Sequence, residues 1–161
     1  MRWTSDMIDG LEIRPDDLTS PETQALVARH LTAMQAHSPP GSVHALDAVQ
    51  LKAGGLAFWS AWVRGRIAGM GALKRLDDRC GEIKSMRVAA EFLGQGVGRA
   101  ILRRIIEEAR AVGLAELYLE TGSAEAFRPA LSLYESEGFR SCDPFAGYRD
   151  DPFSRFMHRR I

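Results

Sequence analysis

The chain has little cysteine, little histidine, no surplus of either charge and no long apolar run, and each shortage removes a class of function. Cys80 and Cys142 are its two cysteines, too few and too far apart for a disulfide framework or a metal knuckle. Its four histidines, His30, His37, His44 and His158, form no HExxH and no close pair, so no metal is expected. Lys plus Arg total 21 and Asp plus Glu total 21, a balance that gives no reason to expect nucleic acid or an anionic membrane as partner. The apolar stretches fall far short of the roughly 20 residues that a membrane-spanning helix needs. The opening MRWTSDMIDG has no apolar run and carries two acids, so no secretory signal is expected there and the expected location is the cytoplasm.

What is present fits an ordinary globular protein. At 161 residues, 45% hydrophobic and 26% charged, the chain is expected to form one domain over 1–161. Leu11-Glu12-Ile13 alternates like a short strand that stops at Pro15, and Pro21 opens a helical pattern through Leu26, Val27, His30, Leu31 and Met34. The breaker Ser38-Pro39-Pro40-Gly41-Ser42 ends it, and the spacing predicts a second short helix from Val43 to Lys52. Strands are predicted over Leu56–Val63 and Ile67–Lys74, joined at Arg64-Gly65-Arg66, with a third over Glu82–Val88. A long helix follows to Val112, with Val97, Ile101, Ile105, Ile106 and Ala109 on one face and Arg103–Glu107 and Arg104–Glu108 pairs on the other. Glu116–Glu120 reads as a strand, Pro129 opens a helix running to Glu137, and Phe139–Cys142 and Arg155–Arg160 read as the last strands. That order gives an α/β fold with a mixed sheet.

Between the third strand and the long helix lies Gly94-Gln95-Gly96-Val97-Gly98. Glycines there let the backbone take positive φ and approach a ligand, and the converging N–H groups with the helix N-terminus suit phosphate oxygens. A nucleoside triphosphate loop would need Gly-Lys-Ser/Thr at its end, but Arg99-Ala100 follows Gly98. A dinucleotide fingerprint would need a third glycine at 99 or 101, which are Arg and Ile.

The run Met86-Arg87-Val88 and then Leu93-Gly94-Gln95-Gly96-Val97-Gly98-Arg99-Ala100 resembles the pyrophosphate loop of the GNAT superfamily of N-acetyltransferases, Arg/Gln-x-x-Gly-x-Gly/Ala. Ala130-Leu131-Ser132-Leu133-Tyr134-Glu135-Ser136-Glu137-Gly138-Phe139 resembles that superfamily's second signature, ending Leu-Tyr-x-x-x-Gly-Phe. The segments FWSAW, GEIKSMRV and LETGS are similar to a bacterial subgroup of the YsnE type. The resemblance covers nearly the whole chain. It implies the GNAT-type acyl-CoA N-acyltransferase fold, a mixed, mostly antiparallel sheet with flanking helices, and transfer of an acetyl group from acetyl-CoA to an amine of a small molecule. Acetyl-CoA would be held by Met86, Arg87, Val88, Leu93, Gly94, Gln95, Gly96, Val97, Gly98, Arg99 and Thr121, with Met86 and Val88 using their main chains and the Met86 N–H facing the oxyanion. A homodimer is a further implication. Two positions depart from the family pattern: Leu93 stands where Arg or Gln is usual, and Phe127 where many members have an Asn that contacts the pantetheine arm.

An alkyl amine with pKa near 10 is protonated at neutral pH, so transfer needs a base, and the departing thiolate benefits from an acid. Tyr134 matches the family's tyrosine at the departing sulfur. Glu82 is the candidate base, in a position from which some members supply a carboxylate. Alternation places Glu82, Lys84 and Met86 on one face, and Lys84 is expected either beside Glu82 or paired with Glu120, so Glu82 reads equally as a structural ion-pair partner. Candidates for the acceptor pocket are His44, Trp59, Trp62, Lys84, Glu120, Phe145, Tyr148 and Asp151. The Gly loop alone is also compatible with a non-catalytic acyl-CoA-binding module, and the acyl chemistry with a protein acceptor.

Overall fold

The computed structural model describes residues 8–161; most of the opening decapeptide, and the expectation placed on it, lies outside the described residues. Among the described residues seven strands form one sheet in the order β1-β2-β3-β4-β5-β7-β6, and four α-helices flank it. The strands are β1 (Leu11–Pro15), β2 (Ala57–Val63), β3 (Arg66–Arg75), β4 (Cys80–Val88), β5 (Glu116–Gly122), β6 (Arg140–Ser141) and β7 (Ser154–Arg160). The helices are α1 (Pro21–His37), α2 (Ala48–Ala53), α3 (Val97–Ala111) and α4 (Arg128–Ser136). Neighbouring strands run antiparallel except β4 and β5, so the sheet is mixed as expected.

Local chemistry sets most of these boundaries. Ser20 caps α1 by accepting from the Thr23 N–H, and Pro21 occupies the first turn, where its missing donor costs nothing. Helix α2 starts later than predicted. Asp47 and Gln50 form a capping box, so 43–47 stays extended and the helix begins at Ala48. Helix α3 buries Val97, Ile101, Leu102, Ile105, Ile106 and Ala109 against the sheet, the face its spacing predicts. On its outer side Arg104 pairs with Glu108 at 3.0 Å, whereas Arg103 also reaches across to Glu137 at 2.5 Å, tying α3 to the end of α4.

Two irregularities in the sheet position the site. First, β4 and β5 pair only from Cys80–Glu116 to Ile83–Leu119, and beyond that point they part. Lys84–Val88 and Glu120–Gly122 therefore turn unpaired backbone edges toward each other. Secondly, β4 carries a bulge: Met70 pairs with Arg87 but Ala72 with Lys84, so three steps on β4 face two on β3. Ser85 absorbs the extra residue with φ of 57°. The bulge breaks the predicted alternation. Glu82 and Lys84 share a face, but Met86 is on the other, where a Cβ placed on Gly71 would meet Met86 Sδ, Ile105 and Ile101. Arg87 is left pointing toward α1.

Candidate active site

A cleft of about 710 Å³ opens where β4 and β5 part, and the glycine loop, α1, α4 and the segment before α2 complete its wall. At one end α3 begins on Gly96, which has φ of 85° and gives no side-chain cap. The first N–H groups of that helix are thus left to solvent or ligand. Gly98 lies so close to Val88 and Leu133 that a Cβ there would stand 3.3 Å from each. Leu93, Gly94, Gly96, Gly98 and Arg99 line this end, and Leu93 is 64% exposed, an apolar surface in place of the usual basic or amide side chain. The middle of the wall is the open edge of β4 from Lys84 to Val88, facing Thr121 and Gly122. Ser85 Oγ is buried here without a hydrogen-bonding partner among the described residues. Gly122 has a separate reason to be glycine: the Phe127 ring occupies the space, 2.1 Å from where a Cβ would stand. Phe127 is consequently buried, and the edge of His37 packs on its ring.

Tyr134 reaches the same cleft from α4. Burial is the main reason its hydroxyl pKa is raised, with the Arg87 guanidinium opposing and the Glu120 carboxylate adding to the rise. At neutral pH it is a phenol, able to donate a proton. Charges of opposite sign, on Arg87 and on Glu120, thus both act on it.

The opposite end is lined by residues 42–45, Glu82, Lys84 and Glu120, and residues of the segment between β6 and β7 bond to that wall without lining the cleft. Tyr148, in the segment between β6 and β7, donates to Glu82 Oε2 at 2.5 Å, and Lys84 Nζ donates both to that Glu82 oxygen at 3.2 Å and to the Tyr148 hydroxyl at 2.9 Å. Glu82 and Lys84 are nearly buried, with side-chain exposures of 3% and 11%. Lys84 therefore pairs with Glu82, not with Glu120. Glu120 accepts from Ser154 Oγ at 2.8 Å, and its pKa is raised first by burial, with that hydrogen bond, His44 and Lys84 opposing. His44 packs edge-on to Tyr148 at 5.0 Å, and Ser42 Oγ donates to Asp151 at 2.5 Å, so two contacts bridge the loops.

Of the residues expected in the acceptor pocket, His44, Lys84 and Glu120 line the cleft; Phe145, Tyr148 and Asp151 do not, Phe145 packing on Tyr118, Tyr148 and Phe156, and the two tryptophans lie elsewhere. Trp59 and Trp62 are 5% and 7% exposed and belong to the core. Trp62 Nε1 donates to Ser60 Oγ while Arg14 covers its ring at 4.4 Å, near β1 and away from the cleft. The bulky aromatic character of β2 reflects a strand flanked by β1 and β3 and buried on both faces. Sequence reasoning also passed over His30 and Ser85. His30 sits on the α1 stripe that reads as core, and Ser85 owes its place in the cleft wall to the bulge, for which the sequence has no glycine or other local signal.

Residues 23–139 match the Acetyltransferase (GNAT) family. The chain belongs to that family. This member is 50% identical over 151 residues to the uncharacterized N-acetyltransferase YsnE of Bacillus subtilis, covering 94% of this chain and 100% of the relative. It is also 50% identical over 145 residues to the uncharacterized N-acetyltransferase YedL of Escherichia coli, covering 90% and 91% of the two chains. A GNAT family acetyltransferase from Elizabethkingia anophelis, solved with acetyl-CoA bound, shares the fold at a TM-score of 0.69 and 20% identity, over 96% of this chain and 100% of that one. The GNAT chain described here is an acetyl-CoA-dependent N-acetyltransferase. No group of metal-ligating side chains occurs among its described residues, and no described helix is long and apolar enough to cross a membrane.

Proposed function

We propose that this acetyltransferase acylates the amine of a small molecule, by direct attack on the thioester within the cleft between β4 and β5. One observation carries the reading: an uncapped helix start, two open strand edges, a protonated tyrosine and a carboxyl of raised pKa all line a single cavity. The orphaned Ser85 Oγ and the closeness of Gly98 to Val88 and Leu133 fit an extended ligand bedded along β4. The backbone of Leu93–Arg99 would hold the pyrophosphate, and the main chains of Met86, Val88 and Thr121 the pantetheine arm, leaving the thioester near Tyr134. Acetyl-CoA supplies the activated acyl group. The volume suits such an arm with a small acceptor, and the Ser42–Asp151 and His44–Tyr148 contacts hold two residues of the acceptor end in place.

Glu120 takes the proton of the incoming ammonium. It lines the cleft near Tyr134, one of its oxygens is held by Ser154, and its burial moves its pKa toward the working range of a base. Glu82 is better explained as the buried partner of Lys84 and Tyr148. As the new C–N bond forms and the C–S bond breaks, a backbone N–H on the open edge of β4 faces the oxyanion and Tyr134 passes its proton to sulfur. The second amine proton then restores Tyr134, and Glu120 releases its proton to solvent.

The test is thiol release from acetyl-CoA over a panel of amines, amino acids, polyamines and aminoglycosides, followed by Tyr134→Phe on whichever acceptor turns over. A thiolate resembles that of cysteine, pKa about 8.5, and is already a fair leaving group. The variant should bind acetyl-CoA normally and lose turnover by a factor on the order of 10–10³. Binding of acetyl-CoA with no turnover of any amine would instead favour a non-catalytic acyl-CoA-binding module.

A further inference from the structure

Arg87 stands out in the cleft wall as a cation without a counter-ion. Its Nε donates to Nδ1 of His30 at 2.9 Å. His30 is 4% exposed, and burial first, then the guanidinium itself, hold its pKa down to about 3, so the imidazole is neutral and can accept at Nδ1. That contact aims the guanidinium but adds no negative charge. Among the described residues no carboxylate lies within ion-pair distance of Arg87, and its terminal nitrogens have no hydrogen-bonding partner. The other cations of the wall are satisfied: Lys84 by Glu82, and Arg99 by Glu137 at 3.4 Å and Ser136. A partly buried guanidinium that no protein anion neutralises is costly unless a ligand brings one.

The donor's phosphates are poorly placed to do so, and the side chain of Arg87, expected from the sequence among the residues that hold acetyl-CoA, turns away from the glycine loop to His30. Val88 packs beside Gly98 at the glycine loop and Met86 points toward α3, whereas Arg87, alternating with them after the bulge, points to α1. With Nε taken by His30, the guanidinium offers its two terminal nitrogens end-on, which matches the two oxygens of one carboxylate. A dianionic phosphate would find no second free cation there, and Glu82 and Glu120 lie in the same wall.

We propose that the acceptor is an amine that also carries a carboxylate, an amino acid or a close analogue, with the carboxylate held end-on by Arg87 and the amine directed to Glu120. This rests on the acetyltransferase reading of the cleft. Tyr134 lines the same cleft as Arg87 and Glu120. His30 acts as a positioning residue, holding the guanidinium through Nε.

The experiment compares amino acids with their carboxamides as acceptors for the purified full chain, by thiol release from acetyl-CoA. Wild type should favour the acid over the carboxamide by about 10–10²-fold in kcat/KM, the range of a charge-assisted pair. Arg87→Ala should raise KM for the acid by a similar factor, leave KM for the carboxamide and the acetyl-CoA thermal shift unchanged, and Arg87→Lys should recover part of the loss. The wild-type comparison needs no variant and stands even if Arg87→Ala fails to fold. Equal use of acid and carboxamide by wild type would overturn the inference while leaving N-acetylation intact. So would an Arg87→Ala variant that weakens both acceptors alike or abolishes the acetyl-CoA shift. Thiol release with none of the amines, charged or neutral, would overturn the acetyltransferase reading itself.

Discussion

Glu82 and Glu120 lie on adjacent strands and line one cleft, yet their surroundings give them different work. Glu82 receives Tyr148 and Lys84 on a single oxygen inside a nearly dry cluster. Glu120 keeps one oxygen outside any hydrogen bond of the described residues and has its pKa raised by burial. Opposite outcomes are expected from the two isosteric changes. Glu120→Gln should fold and lose turnover by about 10²-fold or more at neutral pH, with partial recovery at high pH where the amine deprotonates itself. Glu82→Gln should chiefly lower stability, by up to about 3–5 kcal/mol, because it leaves the Lys84 ammonium buried without its counter-charge. A pH–rate profile for each variant, beside a urea denaturation curve, separates the roles. A Glu120→Gln enzyme with a normal rate at pH 7 would remove Glu120 as the base and return Glu82 to that role.

At the scale of elements, the join between β4 and α3 performs two tasks at once. It ends a strand whose outer edge has just lost its neighbour, and it starts a helix whose first N–H groups have no side-chain cap. Its value to an anion lies in backbone donors, so the substitution of Arg or Gln by Leu93 removes a side chain without removing those donors. Gly96→Asp places a side chain at φ of 85° and a negative charge where pyrophosphate would bind, and Gly98→Asp adds the charge against Val88 and Leu133. Acetyl-CoA at 100 times its dissociation constant should stabilise wild type by about 2.7 kcal/mol, seen as a rise in melting temperature. Both variants should lose that rise, and a bulky change at Gly65 in the β2–β3 turn should keep it. Equal shifts in folded Gly96→Asp, Gly98→Asp and wild type would exclude the loop as the cofactor site.

For the whole molecule, the link between site and stability runs through pH. His30 is buried between α1 and β4 with its pKa lowered from 6.5 to about 3. Below pH 6.5 the unfolded chain takes up a proton at this position that the folded chain refuses, so stability is lost as pH falls toward 3. Each pH unit in that window costs about 1.4 kcal/mol from this group, and above pH 6.5 its contribution is constant. His30→Asn keeps an acceptor near Arg87 and does not titrate, so its urea midpoint should fall less than that of wild type between pH 7 and pH 5. Parallel declines would mean that His30 protonates in the folded state as easily as in the unfolded one.

The amino-acid order by itself determined the element sequence, the face of α3, the loop that precedes it and the family, because caps, periodicity and glycine runs act over a few residues. It also named Tyr134 and both cleft carboxylates. Partner choice was decided elsewhere. Glu82 meets Tyr148 across 66 residues of chain and Arg87 meets His30 across 57, and no local pattern encodes such pairings. The bulge at Ser85 is the sharpest case: strict alternation would carry Met86 to the face of Glu82, and one extra residue in the ladder with β3 sends it to α3 and turns Arg87 to α1. Trp59 and Trp62 looked like pocket aromatics because a strand's period does not reveal that both sheet faces are covered, and burial in the core claimed them. Sequence fixes what each short segment can form; which side chains share a cleft, and which charge is left without a partner there, is a property of the packed sheet.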